Sequence, residues 1–336
     1  MLAGDAVDSP TADHQRPSNG PRTVLVLCQR LASQLRRRIF PIVGGQVFLR
    51  IHLMGEGGPG VEQKQHADQP SLAHDLELPG AIASIKATRY PRGNRAARRS
   101  DVRRDRYKLE KNTGSVNRNN NDHGISFDGR SLAISSQREG LPGGGSTVYI
   151  LPIEGGNPAM VTENTPSYWH GWAPNNKEVV YVAQRNNIPI YNIYRNSISG
   201  GKEVALTTNK KGEHVDGCEY SPDGKYIYFN ASYSGTMQIW RMKPDGTGRE
   251  QLTFDEYNNW FPHISPDGKW MVFISFLPDI EVNSHPSYKR VMLRLMSLSG
   301  GAPRVIAYLY GGQGTINVPS WSPDSKSIGF VSNSGK

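Results

Sequence analysis

The chain is poor in most features that would announce a compartment or a chemistry. Two cysteines, Cys28 and Cys218, stand in 336 residues, and they lie in different regions, so no disulfide framework is implied. No apolar run approaches the length of a membrane-spanning helix. The apolar stretch Thr23 to Leu27 is followed by Arg30 and by Arg36, Arg37 and Arg38, which is neither the core nor the flank of an export signal. Catalytic signatures are missing as well: there is no Gly-x-Ser-x-Gly elbow, P-loop, His-Glu-x-x-His or Rossmann fingerprint. The glycines of Leu141 to Ser146 resemble a phosphate cradle, but they lie between two expected strands with no helix after them and read as a hairpin loop.

Other scarcities are local. Residues 1–106 hold three aromatics, Phe40, Phe48 and Tyr90, and 2 Lys against 15 Arg, whereas residues 107–336 hold 27 aromatics, 12 Lys and 10 Arg. Most of the net charge of +9 is therefore in the first part, with 17 basic against 10 acidic residues. The run Arg92 to Arg106 has the charge of a nucleic-acid arm. It has no interleaved aromatics to stack bases, and no DNA-binding module follows it. Residues 1–106 are thus read as an atypical basic leader, disordered or translated out of frame, with Thr23 to Leu27 and Gln46 to Leu53 as its candidate strands. No nucleic-acid partner is expected.

What the chain does have is a repeated turn. Ser-Pro-Asp-Gly-Lys occurs at Ser221–Lys225 and Ser265–Lys269, and altered copies start at Ser126 (Ser-Phe-Asp-Gly-Arg), Ala173 (Ala-Pro-Asn-Asn-Lys) and Ser322 (Ser-Pro-Asp-Ser-Lys). Successive copies are spaced 47, 48, 44 and 57 residues apart, a period that marks a repeat architecture. After each copy comes a short apolar run rich in β-branched and aromatic residues: Leu132 to Ser135, Val179 to Ala183, Tyr226 to Asn230, Met271 to Ser275 and Ile328 to Val331. Such runs read as strands. A second strand then ends in Gly155-Gly156, Gly200-Gly201, Asp245-Gly246 or Gly300-Gly301, pairs that permit tight hairpins. A third short strand follows each pair. With the strand leading into the turn, each repeat has four antiparallel strands.

Four strands in roughly 45 residues, repeated in tandem, predict an all-β fold of propeller blades. From about Tyr107 to Lys336 the chain resembles the WD40-like (PD40) repeat of the TolB family, which is named for this Pro-Asp turn. The resemblance implies a six-bladed propeller. Here four complete units are expected at about 122–162, 168–207, 214–253 and 261–307, with an incomplete fifth at 317–336. Tyr107 to Lys111 reads as the outer strand of a preceding blade. Arg294 stands where Tyr149, Tyr194 and Trp240 stand in the other repeats, so that blade is expected to pack differently.

In a propeller the segments just before each turn converge on the central channel. They carry the candidate ligand-binding residues Asp122, His123, Tyr168, Trp169, His170, His214, Asp216, Trp260 and His263. His123 and His170 fall three residues before the motif, which predicts equivalent heights on neighbouring blades. Such a set suits a divalent metal, an anionic glycan or a peptide carboxylate. No pair has the spacing of a metal motif, and no cofactor is expected. The motif aspartates Asp128, Asp223, Asp267 and Asp324 read as turn formers.

The resulting expectation is a non-enzymatic, monomeric scaffold. It would bind a protein or cell-envelope component, or a glycan, at the propeller face, with no membrane insertion. The resemblance implies a periplasmic role linked to biopolymer transport. The alternative is a propeller enzyme, because relatives of this repeat include metal-dependent oligogalacturonate lyases and the propellers of prolyl oligopeptidase-like peptidases. The lyase version requires His123, His170 and either His214 or His263 to converge on one metal.

Overall fold

The computed structural model describes residues 112–333 and three earlier strands, β1 (Val47–Leu53), β2 (Asp75–Leu78) and β3 (Ala81–Lys86). Thr23 to Leu27, Arg92 to Arg106 and Tyr107 to Lys111 lie outside the described residues. The fold is a β-propeller. Blade 1 comprises β4 (Asn119–Ile125), β5 (Ser131–Gln137), β6 (Ser146–Pro152) and β7 (Ala159–Met160). Blade 2 comprises β8 (Ser167–Trp172), β9 (Glu178–Ala183), β10 (Asn192–Ser197) and β11 (Val204–Ala205). Blade 3 comprises β12 (Val215–Tyr220), β13 (Ile227–Ala231), β14 (Gln238–Met242) and β15 (Glu250–Gln251). Blade 4 comprises β16 (Asn258–Ile264), β17 (Trp270–Phe276), β18 (Lys289–Ser297) and β19 (Arg304–Gly311). In each the strands pair in chain order, antiparallel, from the channel outward. A fifth sheet has the order β2-β3-β1-β20, where β20 is Ser327–Ser332. Strand β1 pairs antiparallel with β20, Ile51 opposite Ile328, so the strand expected at Gln46 to Leu53 joins the propeller's last repeat.

The motif's chemistry explains its recurrence. In four copies the serine hydroxyl donates to the aspartate two residues on, Ser126 to Asp128 at 2.6 Å and Ser221 to Asp223 at 2.7 Å among them. The same carboxylate accepts a backbone N–H after the turn, from Lys225 or Lys269 at 3.1 Å. The fourth motif position needs left-handed backbone, with φ of 72° at Gly129 and Gly224. Where glycine is replaced, Asn176 (φ 57°) and Ser325 (φ 59°) adopt the same conformation. Their side chains accept the backbone N–H of Asp128 and Asp267 on the preceding blade, at 3.2 and 3.0 Å. The altered copies thus exchange conformational ease for a bond between blades.

Blades stack through apolar faces whose residues alternate along each strand. In β9, Val179, Tyr181 and Ala183 pack toward blade 1, and Val180 and Val182 pack toward blade 3. Tyr228 and Ile239 meet Ile264, Met271 and Phe273 between blades 3 and 4. Two tryptophans add polar ties: the Trp172 indole donates to the Gly124 carbonyl at 3.0 Å, and the Trp321 indole donates to that of His263 at 2.9 Å. Arg294 does make blade 4 different. Buried at 7 % exposure, it bonds Asp255 at 2.6 Å and lies over the rings of Tyr257 and Phe273.

Candidate functional site

The four complete inner strands are all bulged just before the motif. One extra residue interrupts pairing between Trp169 and Gly171, between Asp216 and Glu219, and between Trp260 and His263. In β4 the interruption between Asn119 and His123 takes in two extra residues, four steps facing two on β5. A bulge re-aims the side chains that follow it, and one further residue reverses their facing. His123 follows the bulge of β4 and stands opposite Ile134, whereas His170 is itself the unpaired extra residue of β8, so the two, aligned in sequence, have different surroundings. Gly217 and Phe261 occupy corresponding bulge positions with φ of 59° and 54°. For phenylalanine that backbone is unfavourable, and it is held by the bond from Phe261 N–H to the Asn230 side chain at 3.0 Å.

The bulges sort the channel residues into two levels. The first is buried and charged. His170 Nε2 lies 2.7 Å from Asp216 Oδ1, and His285 Nε2 lies 3.5 Å from Asp216 Oδ2. Burial works against the His170 imidazolium, but the charge and hydrogen bond of Asp216, with Asp122 and Glu219 behind them, raise its pKa above the ordinary value. Burial also opposes ionisation of Asp216, yet His170 holds that carboxyl well below the usual range. Asp122 has no such partner: burial, with the neighbouring Asp216 charge, pushes its pKa up to about 6 against the pull of His170. Around this group stands a ring of aromatic side chains. His214 is 5.3 Å from Tyr191 and 5.6 Å from Trp260, ring centre to ring centre; Trp260 is 4.5 Å from His285, and Tyr168 is 6.1 Å from Tyr191. Burial lowers the pKa of His214.

His263 belongs to neither pole of this group. Its Nδ1 is 2.6 Å from Glu219 Oε2, and its Nε2 donates to the Ile316 carbonyl. His123, His170 and His263 do not converge: His123 Nδ1 lies 3.1 Å from the Asn121 carbonyl oxygen, His170 is committed to Asp216 and His263 to Glu219. Among the described residues no group of three or more His, Cys, Asp or Glu side chains is arranged to hold a metal ion. The donor set does not fit a divalent metal, and no chemistry is routed through one.

The second level is a cavity of about 390 Å³ where the five inner segments meet at the motif turns. Its rim carries the second residue of four motif copies, Phe127, Pro222, Pro266 and Pro323, and its floor includes His123, Trp169 and Glu219. Phe127 is 48 % exposed. These rim residues were legible in sequence only as turn formers, although a residue fixed at one place in each of several convergent turns must form a ring around the axis. Glu219 and His285 gave less signal. His285 lies in the segment between β17 and β18, which together with the longer β18 and β19 lengthens the spacing between the fourth and fifth motif copies to 57 residues.

No protein-family model matches the chain. It is 45 % identical over 219 residues to an uncharacterized protein, Atu1656, of Agrobacterium fabrum, a match covering 65 % of this chain and 72 % of that protein. A solved structure from Agrobacterium tumefaciens assigned as a TolB is 43 % identical, with a TM-score of 0.61 over 66 % of this chain and 77 % of that one. The Tol-Pal system protein TolB of Anaeromyxobacter dehalogenans is 29 % identical over 104 residues, which are 31 % of this chain and 23 % of that protein. The chain thus matches about a quarter of that TolB. Among the described residues no helix is long and apolar enough to cross a membrane.

Proposed function

Because this chain belongs to the TolB-like β-propeller family, we propose that it is a non-enzymatic, monomeric scaffold whose turn-side cavity docks a segment of a protein of the cell envelope. The observation that carries this reading is the cavity itself. It is walled by proline and aromatic rings, with a few polar groups at its floor, and its volume falls in the range of about 300–1,000 Å³ usual for ligand sites. Rigid apolar rings lose little conformational entropy on contact, which favours them at interfaces. Family membership supports a periplasmic setting and a part in biopolymer transport. A glycan fits less well, since the rim offers few hydrogen-bonding groups to sugar hydroxyls.

The test replaces Phe127 with a photo-crosslinking amino acid in the full chain and, in a separate variant, Tyr308, which is exposed on β19, the outermost strand of blade 4. A discrete product with one envelope protein from the Phe127 position alone is expected. The purified pair should then form a 1:1 complex that Phe127→Asp weakens by about tenfold or more, the effect of placing a charge against an apolar contact. Equal products from both positions, or a complex indifferent to Phe127→Asp, would refute the reading.

A further inference from the structure

We infer that the segment between β17 and β18 is a strap that closes the end of the channel away from the motif turns, and that a proton on His285 fastens it to Asp216. The strap tightens when His285 gains that proton and loosens when the proton is lost. The inference stands apart from the docking reading, which concerns the other end of the channel.

The strap differs from its counterparts in length and reach. The connection between the second and third strands is residues 138–145 in blade 1, 184–191 in blade 2 and 232–237 in blade 3, but 277–288 in blade 4. The extra residues carry the chain back over the channel. At its base the strap is hinged on blade 4, where Ile280 and Val282 pack against the core and the Asn258 side chain donates to the Ile280 carbonyl at 3.0 Å. Two side chains fasten its far part to blade 3 and the approach to it. Asn283 donates to the Gly212 carbonyl at 3.3 Å, and His285 Nε2 lies 3.5 Å from Asp216 Oδ2. The His285 ring also stands edge-on to Trp260 and Phe261, at 4.5 and 5.2 Å between ring centres.

An imidazole and a carboxylate attract as charges only while the imidazole is protonated, and histidine is the side chain that changes charge across the physiological range. Asp216 is a constant partner over that range: burial opposes its ionisation, but His170, with His285 and His214 behind it, holds its carboxyl well below the usual range. His170 of β8 takes Asp216 Oδ1 at 2.7 Å and leaves Oδ2 to the strap. His214 of β12 would repel a charged His285, but burial lowers its pKa and keeps it neutral into mildly acid solution. On the strap itself, Glu281 accepts the Asn283 N–H at 3.3 Å. The phenols of Tyr168 and Tyr191 are kept protonated by burial, and Glu219 is committed to His263. Asp122 of β4 faces His170 and Asp216. Burial pushes its pKa up to about 6, so its titration is the one to be separated from that of His285 by experiment.

Hydrogen exchange of the full 336-residue chain, read by mass spectrometry from about pH 5.5 to about pH 8 and corrected for the intrinsic rate, tests the strap. Residues 279–288 should exchange about fivefold faster at the upper pH, the difference between a charge-assisted hydrogen bond and a neutral one. Residues 209–214, held through Asn283, should loosen with them, while β13 and β17 stay unchanged. His285→Gln should exchange at the fast level throughout, whereas Asp122→Asn and His214→Gln should each keep the step. Strap exchange indifferent to pH in the unaltered chain would overturn the inference even where a variant fails to fold. So would a step that survives His285→Gln or vanishes in either of the other variants, or one shared to the same degree by β13 and β17.

Discussion

The two levels of the channel are built from the same inner strands and yet differ in every physical respect. One is buried and charged, with Asp216 clamped between His170 and His285 and with Asp122 held against its preference. The other is an apolar cavity with exposed rings at its rim. The difference teaches that position in a repeat does not fix environment. His170 is the unpaired bulge residue of β8 and stands in the first level, whereas His123 follows the bulge of β4, pairs with Ile134 and stands in the second. It also suggests a division of labour in which the charged level holds neighbouring blades together and the cavity meets the partner.

That division breaks most visibly at Asp216. Asp216→Ala removes the group that holds the proton on buried His170, so burial drives that proton off, and the lost ion pair with the unpaired imidazole left behind should cost about 3 kcal/mol at pH 7, read by urea denaturation. Asp216 has a lowered pKa in the folded state, so its contribution is present above the ordinary carboxylate pKa and is lost as pH falls through the folded value. The gap between variant and parent should therefore narrow below about pH 4. A variant as stable as the parent at pH 7 would show that the pair carries no structural load.

Asp122 should behave in the opposite sense. Its pKa is raised to about 6, so protonation favours the fold, and that contribution is present below the unfolded value and lost as pH rises through 6. Asp122→Asn mimics the protonated acid and should stabilise the protein by about 2 kcal/mol above pH 6, with no gain below pH 4. Trp321→Phe removes one tie between blades and should cost about 1 kcal/mol. Smallest of all, Phe127→Asp at the exposed rim should change stability by no more than about 0.5 kcal/mol.

The propeller was legible in the sequence because its signal is local. Ser221 and Asp223 bond within one five-residue turn, so the motif that is read is also the structure that forms. Even the altered copies keep their place, since Asn176 and Ser325 hold the left-handed backbone that Gly224 holds with ease. The channel was legible only in outline. Asp122, Tyr168, His170, His214, Asp216 and Trp260 do share one buried neighbourhood, but His123 and Trp169 line the cavity and His263 pairs with Glu219. What separates them is where each stands relative to the bulge, His170 in it and Trp169, His123 and His263 in the ladder beside it, and that depends on pairing with the next strand. The rim was hidden differently: Pro222 and Pro266 had a sufficient local explanation as turn residues, which concealed their second role. The pairing of β1 with β20 joins residues about 280 apart, a contact that only the folded chain reveals.

The central claim is that the cavity docks a partner and the charged level supports the fold. It is tested most directly by measuring melting temperature and partner complex formation together for Phe127→Asp and Asp216→Asn. The account predicts that Phe127→Asp weakens the complex by about tenfold or more at an unchanged melting temperature, and that Asp216→Asn lowers the melting temperature while the folded protein still forms the complex. A Phe127→Asp variant that binds as well as the parent, or an Asp216→Asn variant that is fully stable yet cannot bind, would contradict it.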